Sequence, residues 1–180
     1  MQNQQENQQT QTLAQFPDWG ELWQQAQKEK NWRHKGPEHW DKKASSFAKR
    51  VSTSVYTEKF IDQLPLQADW TVLDVGSGPG TLTLPLASRC QAVTALDFSN
   101  GMLDILRQRA VAEQRENIST QQLSWEDDWQ AAGVAIHDVA VASRSLAVAD
   151  LPVALNKLTS FARKLVCVTD KVGAGQGPLI

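Results

Sequence analysis

Cysteine is scarce in this chain: 180 residues hold only Cys90 and Cys167, and no CxxC pair. Each lies in or beside an apolar, strand-like run, so both read as buried free thiols rather than a disulfide or a redox pair. The three histidines do not cluster with the cysteines, which excludes the usual zinc spacings, and no metal is expected. Long hydrophobic runs are missing as well. No apolar stretch approaches the roughly 20 residues that cross a bilayer. The N-terminus lacks the basic-then-apolar order of a secretory signal. A cytoplasmic protein without membrane contact is expected. Excess positive charge is also absent: the net charge is -2, which argues against nucleic-acid binding by the chain as a whole.

What is present is a folded-protein composition, 41% hydrophobic and 21% charged, in a chain long enough for one domain with a real core. Residues 1–15 are dominated by Gln and Asn and read as a disordered tail, because they offer too little apolar surface to offset ordering entropy. Residues 16–66 read as a tryptophan-rich helical cap. Asp18 caps a helix through Trp19, Leu22, Trp23 and Ala26. After the Gly36-Pro37 break, Trp40, Ala44, Phe47, Ala48 and Val51 form a helical stripe. Ser54 caps a third helix carrying Val55, Phe60 and Leu64. Between Lys28 and Arg50, eight Lys/Arg face Glu29, Glu38 and Asp41, an excess of five positive charges. Two readings fit that excess: a solvated helical face, or a mouth that attracts an anionic substrate.

Residues 67–180 alternate strand and helix. Strands are expected at 71–75, 92–96, 118–123, 138–142 and 165–169. Helices are expected at 80–89, 100–114 and 152–163. Alternation of this kind implies a parallel sheet with helices on both faces.

The chemistry is concentrated in Val72-Leu73-Asp74-Val75-Gly76-Ser77-Gly78-Pro79-Gly80-Thr81-Leu82. An apolar strand ends in a glycine turn that opens a helix. The glycines let backbone N–H groups approach a ligand, and the helix N-terminus adds free donors and partial positive charge. The spacing is GxGxG rather than the GxGxxG of dinucleotide folds, and Pro79 stands inside the loop. The next strand ends in Leu96-Asp97, where a carboxylate can accept both hydroxyls of a ribose.

VLDVGSGPGTLTLPLA followed by VTALDFSNGML resembles motifs I and II of class I S-adenosylmethionine (SAM)-dependent methyltransferases. The style is that of the small-molecule branch typified by quinone-biosynthesis methyltransferases. HWDKKASSFA resembles the helix that precedes the core in many of these enzymes and helps close the cofactor pocket. The resemblance implies an α/β, Rossmann-like methyltransferase sheet with an N-terminal helical cap. It implies SAM as cofactor and methyl transfer by in-line displacement to a small-molecule acceptor. Gly76, Gly78 and Gly80 would line the methionine part of SAM, and Asp74 would order the loop and approach its amino group. Asp97 would bind the ribose diol, beside Phe98. Met102 would pack on adenine or ribose, or simply belong to the core. Trp125 would stack on adenine, with Glu126 or Asp127 at its N6. The alternative for those acids is a helix N-terminus.

The fourth strand leads into Ser143-Arg144-Ser145, at the sheet end that faces the reaction centre in open α/β folds. Ser143 is placed with the cofactor residues. Arg144 is a clamp for an acidic substrate or the SAM carboxylate, or else a structural ion pair. The segment lacks the Asp/Asn-Pro-Pro-aromatic motif of amino-methylating nucleic-acid enzymes. Candidates for a general base, needed only if the acceptor loses a proton, are His34, His39 and Tyr56. His137 starts the fourth strand at the opposite end and reads as structural. A non-catalytic SAM-binding domain and a nicotinamide-dependent oxidoreductase are the competing readings. The methyltransferase sheet has seven strands, and Gly173 to Pro178 reads as a turn. The chain is therefore expected to lack the strand 6/7 hairpin, leaving strand 5 as an edge on which a homodimer can form.

Overall fold

The computed structural model describes residues 18–29, 35–51 and 55–170. The stretch 1–15, His34, Ser54 and the run 173–178 lie outside them. Among the described residues three helices precede the first strand: α1 (Trp19–Glu29), α2 (Pro37–Val51) and α3 (Val55–Gln63). The Asp18 carboxylate caps α1, accepting the N–H groups of Gly20 at 2.8 Å and Glu21 at 3.1 Å. Pro37 is the first residue of α2, a position where a missing N–H costs no helical bond.

Strands and helices then alternate: β1 (Thr71–Val75), α4 (Thr83–Ala87), β2 (Ala92–Asp97), α5 (Asn100–Ala112), β3 (Ile118–Gln122), β4 (His137–Ser143), α6 (Leu151–Ser160) and β5 (Ala162–Thr169). The strands pair in the order β3-β2-β1-β4-β5, and every pairing is parallel. Burial on both faces explains the apolar runs Val72-Leu73 in β1 and Val139-Ala140-Val141-Ala142 in β4. On one face Val72, Val93, Val139 and Val141 pack with Phe60, Ile61, Leu82 and Leu86. On the other, Leu73, Val75, Leu96, Ala140 and Ala142 meet Trp129, Ala154 and Leu158. Leu103, Leu106 and Ala110 of α5 cover Ala95. Both thiols are free, and burial pushes Cys90 up to about 11.

Element ends differ from the sequence reading by up to three residues, most at two places. The helix expected at 80–89 is only Thr83–Ala87, because Gly80 still belongs to the loop and holds φ at +84°. The helix expected to reach residue 163 stops at Ser160, and β5 starts at Ala162. Tertiary partners override helix propensity there. The His137 N–H donates to Phe161 O at 2.9 Å, and the Arg163 guanidinium reaches Asp138 at 3.3 Å and Ile136 O at 2.5 Å. Among the described residues β5 pairs only with β4, and no helix is long and apolar enough to cross a membrane.

Candidate functional site

Strand order reverses between β1 and β4, the switch point at whose carboxyl ends open α/β sheets place their ligands. The glycine turn stands at that point. The N–H groups of Gly76 and Ser77 both donate to Leu96 O, at 2.8 and 3.0 Å, tying the turn to the end of β2. From α5, Arg109 donates to Pro79 O at 2.8 Å. The three glycines meet different surroundings. A Cβ on Gly76 would lie 2.3 Å from Ser145 Cβ, and one on Gly80 would lie 2.4 Å from Leu106 Cδ1. A Cβ on Gly78 would meet nothing within 4 Å. Gly76 and Gly80 thus admit neighbouring packing, while Gly78 borders open space.

Asp97 is only 6% exposed at the end of β2. One carboxylate oxygen accepts the Gly78 N–H at 2.8 Å, and the other accepts the Ser99 N–H at 2.8 Å. Each oxygen retains acceptor capacity for a hydroxyl. Burial raises the Asp97 pKa, the two N–H bonds lower it, and the charge of Asp41 raises it further. Asp74, on β1, is buried and accepts from Thr83 Oγ1 at 2.6 Å. Burial pushes its carboxyl up to about 6, against the Thr83 bond and with help from the charge of Asp97. Ser77 Oγ is buried beside them and has no hydrogen-bond partner among the described residues.

The remaining cofactor candidates are spread around this loop. Met102 is buried in the first turn of α5, its N–H donating to Ser99 Oγ at 3.2 Å. Phe98 is partly exposed, and its carbonyl accepts from Gln122 at 3.2 Å. Trp125 is half-buried, packs on Trp129 at 5.3 Å and donates from Nε1 to Ser145 O at 2.9 Å. Glu126 is exposed, while the Asp127 carboxylate accepts the Ser124 N–H at 2.7 Å. The segment forms turns rather than a helix.

A second cluster gathers where β4 and β5 end. Tyr56 of α3 lies within hydrogen-bond distance of Ser143 Oγ at 2.7 Å and Thr169 Oγ1 at 2.5 Å. Thr169 Oγ1 also donates to Ser143 Oγ at 3.1 Å. The exposed guanidinium of Arg144 lies over the Tyr56 ring, 4.6 Å from its centroid. The Arg144 backbone holds φ at +54°, a left-handed conformation unusual for a side chain of this size, and its N–H donates to Thr169 O at 2.7 Å. Among the described residues no carboxylate forms an ion pair with Arg144, and its described side-chain partner is the Tyr56 ring. His39 Nε2 is buried without a hydrogen-bond partner among the described residues. Burial lowers the His39 pKa first, followed by the charges of Lys43, Lys35 and Lys42. His137 lies at the other end of β4, its ring nitrogens paired with Ala135 O at 2.7 Å and Thr94 Oγ1 at 2.9 Å.

Sequence reading missed Ser145, Thr83, Thr169 and Asp41. Ser145 donates to Val75 O at 2.7 Å and fills the space that Gly76 leaves. Asp41 accepts from Ser99 Oγ at 2.6 Å. No local pattern signals these pairs, most of which join residues tens of positions apart, while Thr83 and Asp74 are nine apart.

The fold and the loop define an α/β nucleoside-binding architecture of the methyltransferase kind. The methyltransferase-domain family model matches residues 72–165, just over half of the chain, and the chain belongs to that family, whose cofactor is S-adenosylmethionine. An uncharacterized protein of Haemophilus influenzae is 39% identical over 154 residues, which cover 84% of this chain and 57% of that protein. The biotin biosynthesis bifunctional protein BioHC of Cellvibrio japonicus is 42% identical over 80 residues, 38% of this chain and 16% of that protein. The chain thus spans little more than half of the first relative and a minor part of the second. The crystal structure of coclaurine N-methyltransferase bound to N-methylheliamine and SAH matches with a TM-score of 0.54 at 19% identity, covering 62% of this chain and 34% of that one. That likeness shows a shared fold.

The residues present fit SAM. Asp97 retains acceptor capacity for a diol, and the space above Gly78 is open. Ser77 Oγ is an unpaired polar atom beside the turn, and two buried carboxylates with raised pKa values favour a cationic ligand.

Proposed function

We propose that this chain catalyses SAM-dependent methyl transfer to a small anionic acceptor seated at the carboxyl ends of β4 and β5. The observation that carries the reading is the Asp97 carboxylate closed on the Gly78 N–H at 2.8 Å, at the point where strand order reverses. When bound, SAM supplies a methyl group already activated by its sulfonium charge. Asp97 holds the ribose hydroxyls, and the Gly76–Gly80 turn sets the depth at which the cofactor lies. Asp74 and Asp97 together provide negative charge that favours a positive centre nearby.

The acceptor side belongs to Tyr56, Ser143, Thr169 and Arg144. Stacking on Tyr56 holds the guanidinium plane and leaves its N–H edge available to a carboxylate or phosphate. The three hydroxyls supply further donors. His39, its pKa lowered, is the group suited to receive a proton from an acceptor that must lose one. Calorimetry with SAM and with NAD tests the cofactor half of this reading. Radiolabelled methyl transfer from SAM into a fractionated metabolite extract tests the acceptor half. Labelled anionic small molecules that vanish with Arg144→Ala support it. Label confined to RNA or protein overturns it.

A further inference from the structure

One contact ties the helical cap to the cofactor carboxylate. Asp41, on α2, projects onto the first turn of α5. Its Oδ1 accepts Ser99 Oγ at 2.6 Å and the Gly101 N–H at 2.9 Å. Ser99 is itself fully buried, and its own N–H donates to Asp97 Oδ1 at 2.8 Å. Asp97 passes the chain on to the Gly78 N–H. A continuous hydrogen-bonded path therefore runs Asp41–Ser99–Asp97–Gly78, from cap to glycine turn. The fit at its start is close. A Cβ on Gly101 would lie 3.0 Å from both Asp41 Cα and its Oδ1, so glycine at 101 is what lets α2 approach.

We propose that Asp41 is a positioning residue, which orients the cofactor carboxylate Asp97 by fixing Ser99 and so makes cofactor affinity depend on docking of α2. The proposal rests on the reading above that Asp97 holds the ribose. Its physical basis is the geometry of a two-bond acceptor. A carboxylate that takes both the hydroxyl and the helix-terminal N–H leaves Ser99 one rotamer, and the Ser99 backbone then aims one N–H at Asp97. Removing Asp41 leaves that hydroxyl held only by the Met102 N–H at 3.2 Å and loosens the loop between β2 and α5. Asp97 then loses a fixed orientation, although the carboxylate itself remains.

Titration calorimetry with SAH on the full chain tests this. Asp41→Ala is expected to weaken SAH binding about tenfold, the loss of roughly one well-aligned charge-assisted hydrogen bond. Asp41→Asn keeps an acceptor oxygen for Ser99 and Gly101 and is expected to stay within about threefold of wild type, since most of the geometry survives. The double-mutant cycle with Asp97→Asn separates positioning from general support. In the Asp97→Asn background, Asp41→Ala is expected to cost no more than about twofold, because residues that act through one another are not additive. Gly101→Ala attacks the same contact from α5 and serves if Asp41→Ala does not fold. Wild-type affinity in either folded variant, or losses that simply add, overturns the Asp41 proposal alone. A wild-type chain that binds no SAH overturns the functional reading, and this proposal with it.

Discussion

The two outer glycines and the middle one of the turn are predicted to fail in opposite ways when given a side chain. At Gly80, with φ at +84°, an added Cβ runs into the fully buried Leu106. Gly80→Ala is expected to destabilise the fold by about 2–3 kcal/mol, combining left-handed strain with overpacking. Gly78→Ala meets open space, so its cost to folding is about 1 kcal/mol of backbone strain, while SAH affinity falls. Urea unfolding and calorimetry on both variants check this, and equal losses of stability would contradict it. Asp74 makes a pH prediction. Its folded pKa of about 6 lies above the unfolded value of about 3.9. Between those values the folded state holds the proton and the unfolded state does not, so this group's contribution falls as pH rises from about 4 to about 6. Asp74→Asn is therefore expected to be more stable than wild type at pH 7.5, by on the order of 2 kcal/mol. The gap closes toward pH 4. Cofactor affinity is expected to drop in the same variant, because the charge that opposes folding there would face the amino group of the cofactor. Melting curves across that pH range decide the sign.

Helix α3 is fastened at two levels. Phe60 and Ile61 enter the core against β1 and β4, and Tyr56 reaches the strand ends through its hydroxyl. Tyr56→Phe keeps the ring under Arg144 and removes only the hydroxyl. A loss of about 1–2 kcal/mol is expected for hydrogen bonds at this depth. Methyl transfer should fall while SAH affinity holds, since the hydroxyl lies on the proposed acceptor side. An unchanged turnover would detach Tyr56 from the acceptor. The boundary between α6 and β5 also belongs to this scale. The run 152–163 has helical spacing, yet Arg163 lies in a strand because Asp138 and Ile136 O, on and before β4, draw it there. Asp138, bonded to Thr71, Arg163 and Lys164, has its pKa lowered well below the ordinary carboxylate range.

Ligand linkage acts on the molecule as a whole. A cofactor that binds only the folded state at a hundred times its Kd adds about 2.7 kcal/mol. For a domain of this size that corresponds to a rise of about 5–10 °C in Tm. SAM and SAH are expected to produce it and NAD is not, because the turn has GxGxG spacing with Pro79 inside it. A thermal shift with NAD alone would return the nicotinamide reading to the front.

Local sequence by itself determined β1, the glycine turn and β2 with its terminal Asp97. An apolar run, a glycine-rich turn and an acid at the next strand end are all written within a few tens of residues. Strand–helix alternation likewise determined a parallel sheet. Tertiary structure alone decided what each glycine is for. Gly76 faces Ser145 and Gly80 faces Leu106, partners supplied by the loop after β4 and by α5, so of the three only Gly78 is left beside open space. It also decided that Trp129 is buried against Phe161, at 5.3 Å between rings, where the sequence showed only an acidic, tryptophan-bearing loop. The same holds for Asp41, one of two acids in a basic helix by sequence and, in the fold, a partner of Ser99 58 positions away in the chain. The reason is physical. Turn geometry and strand pattern come from backbone sterics and side-chain periodicity, which neighbours in sequence dictate. Close approach and hydrogen-bond partnership depend on which surfaces the folded chain brings together, and no local pattern carries that.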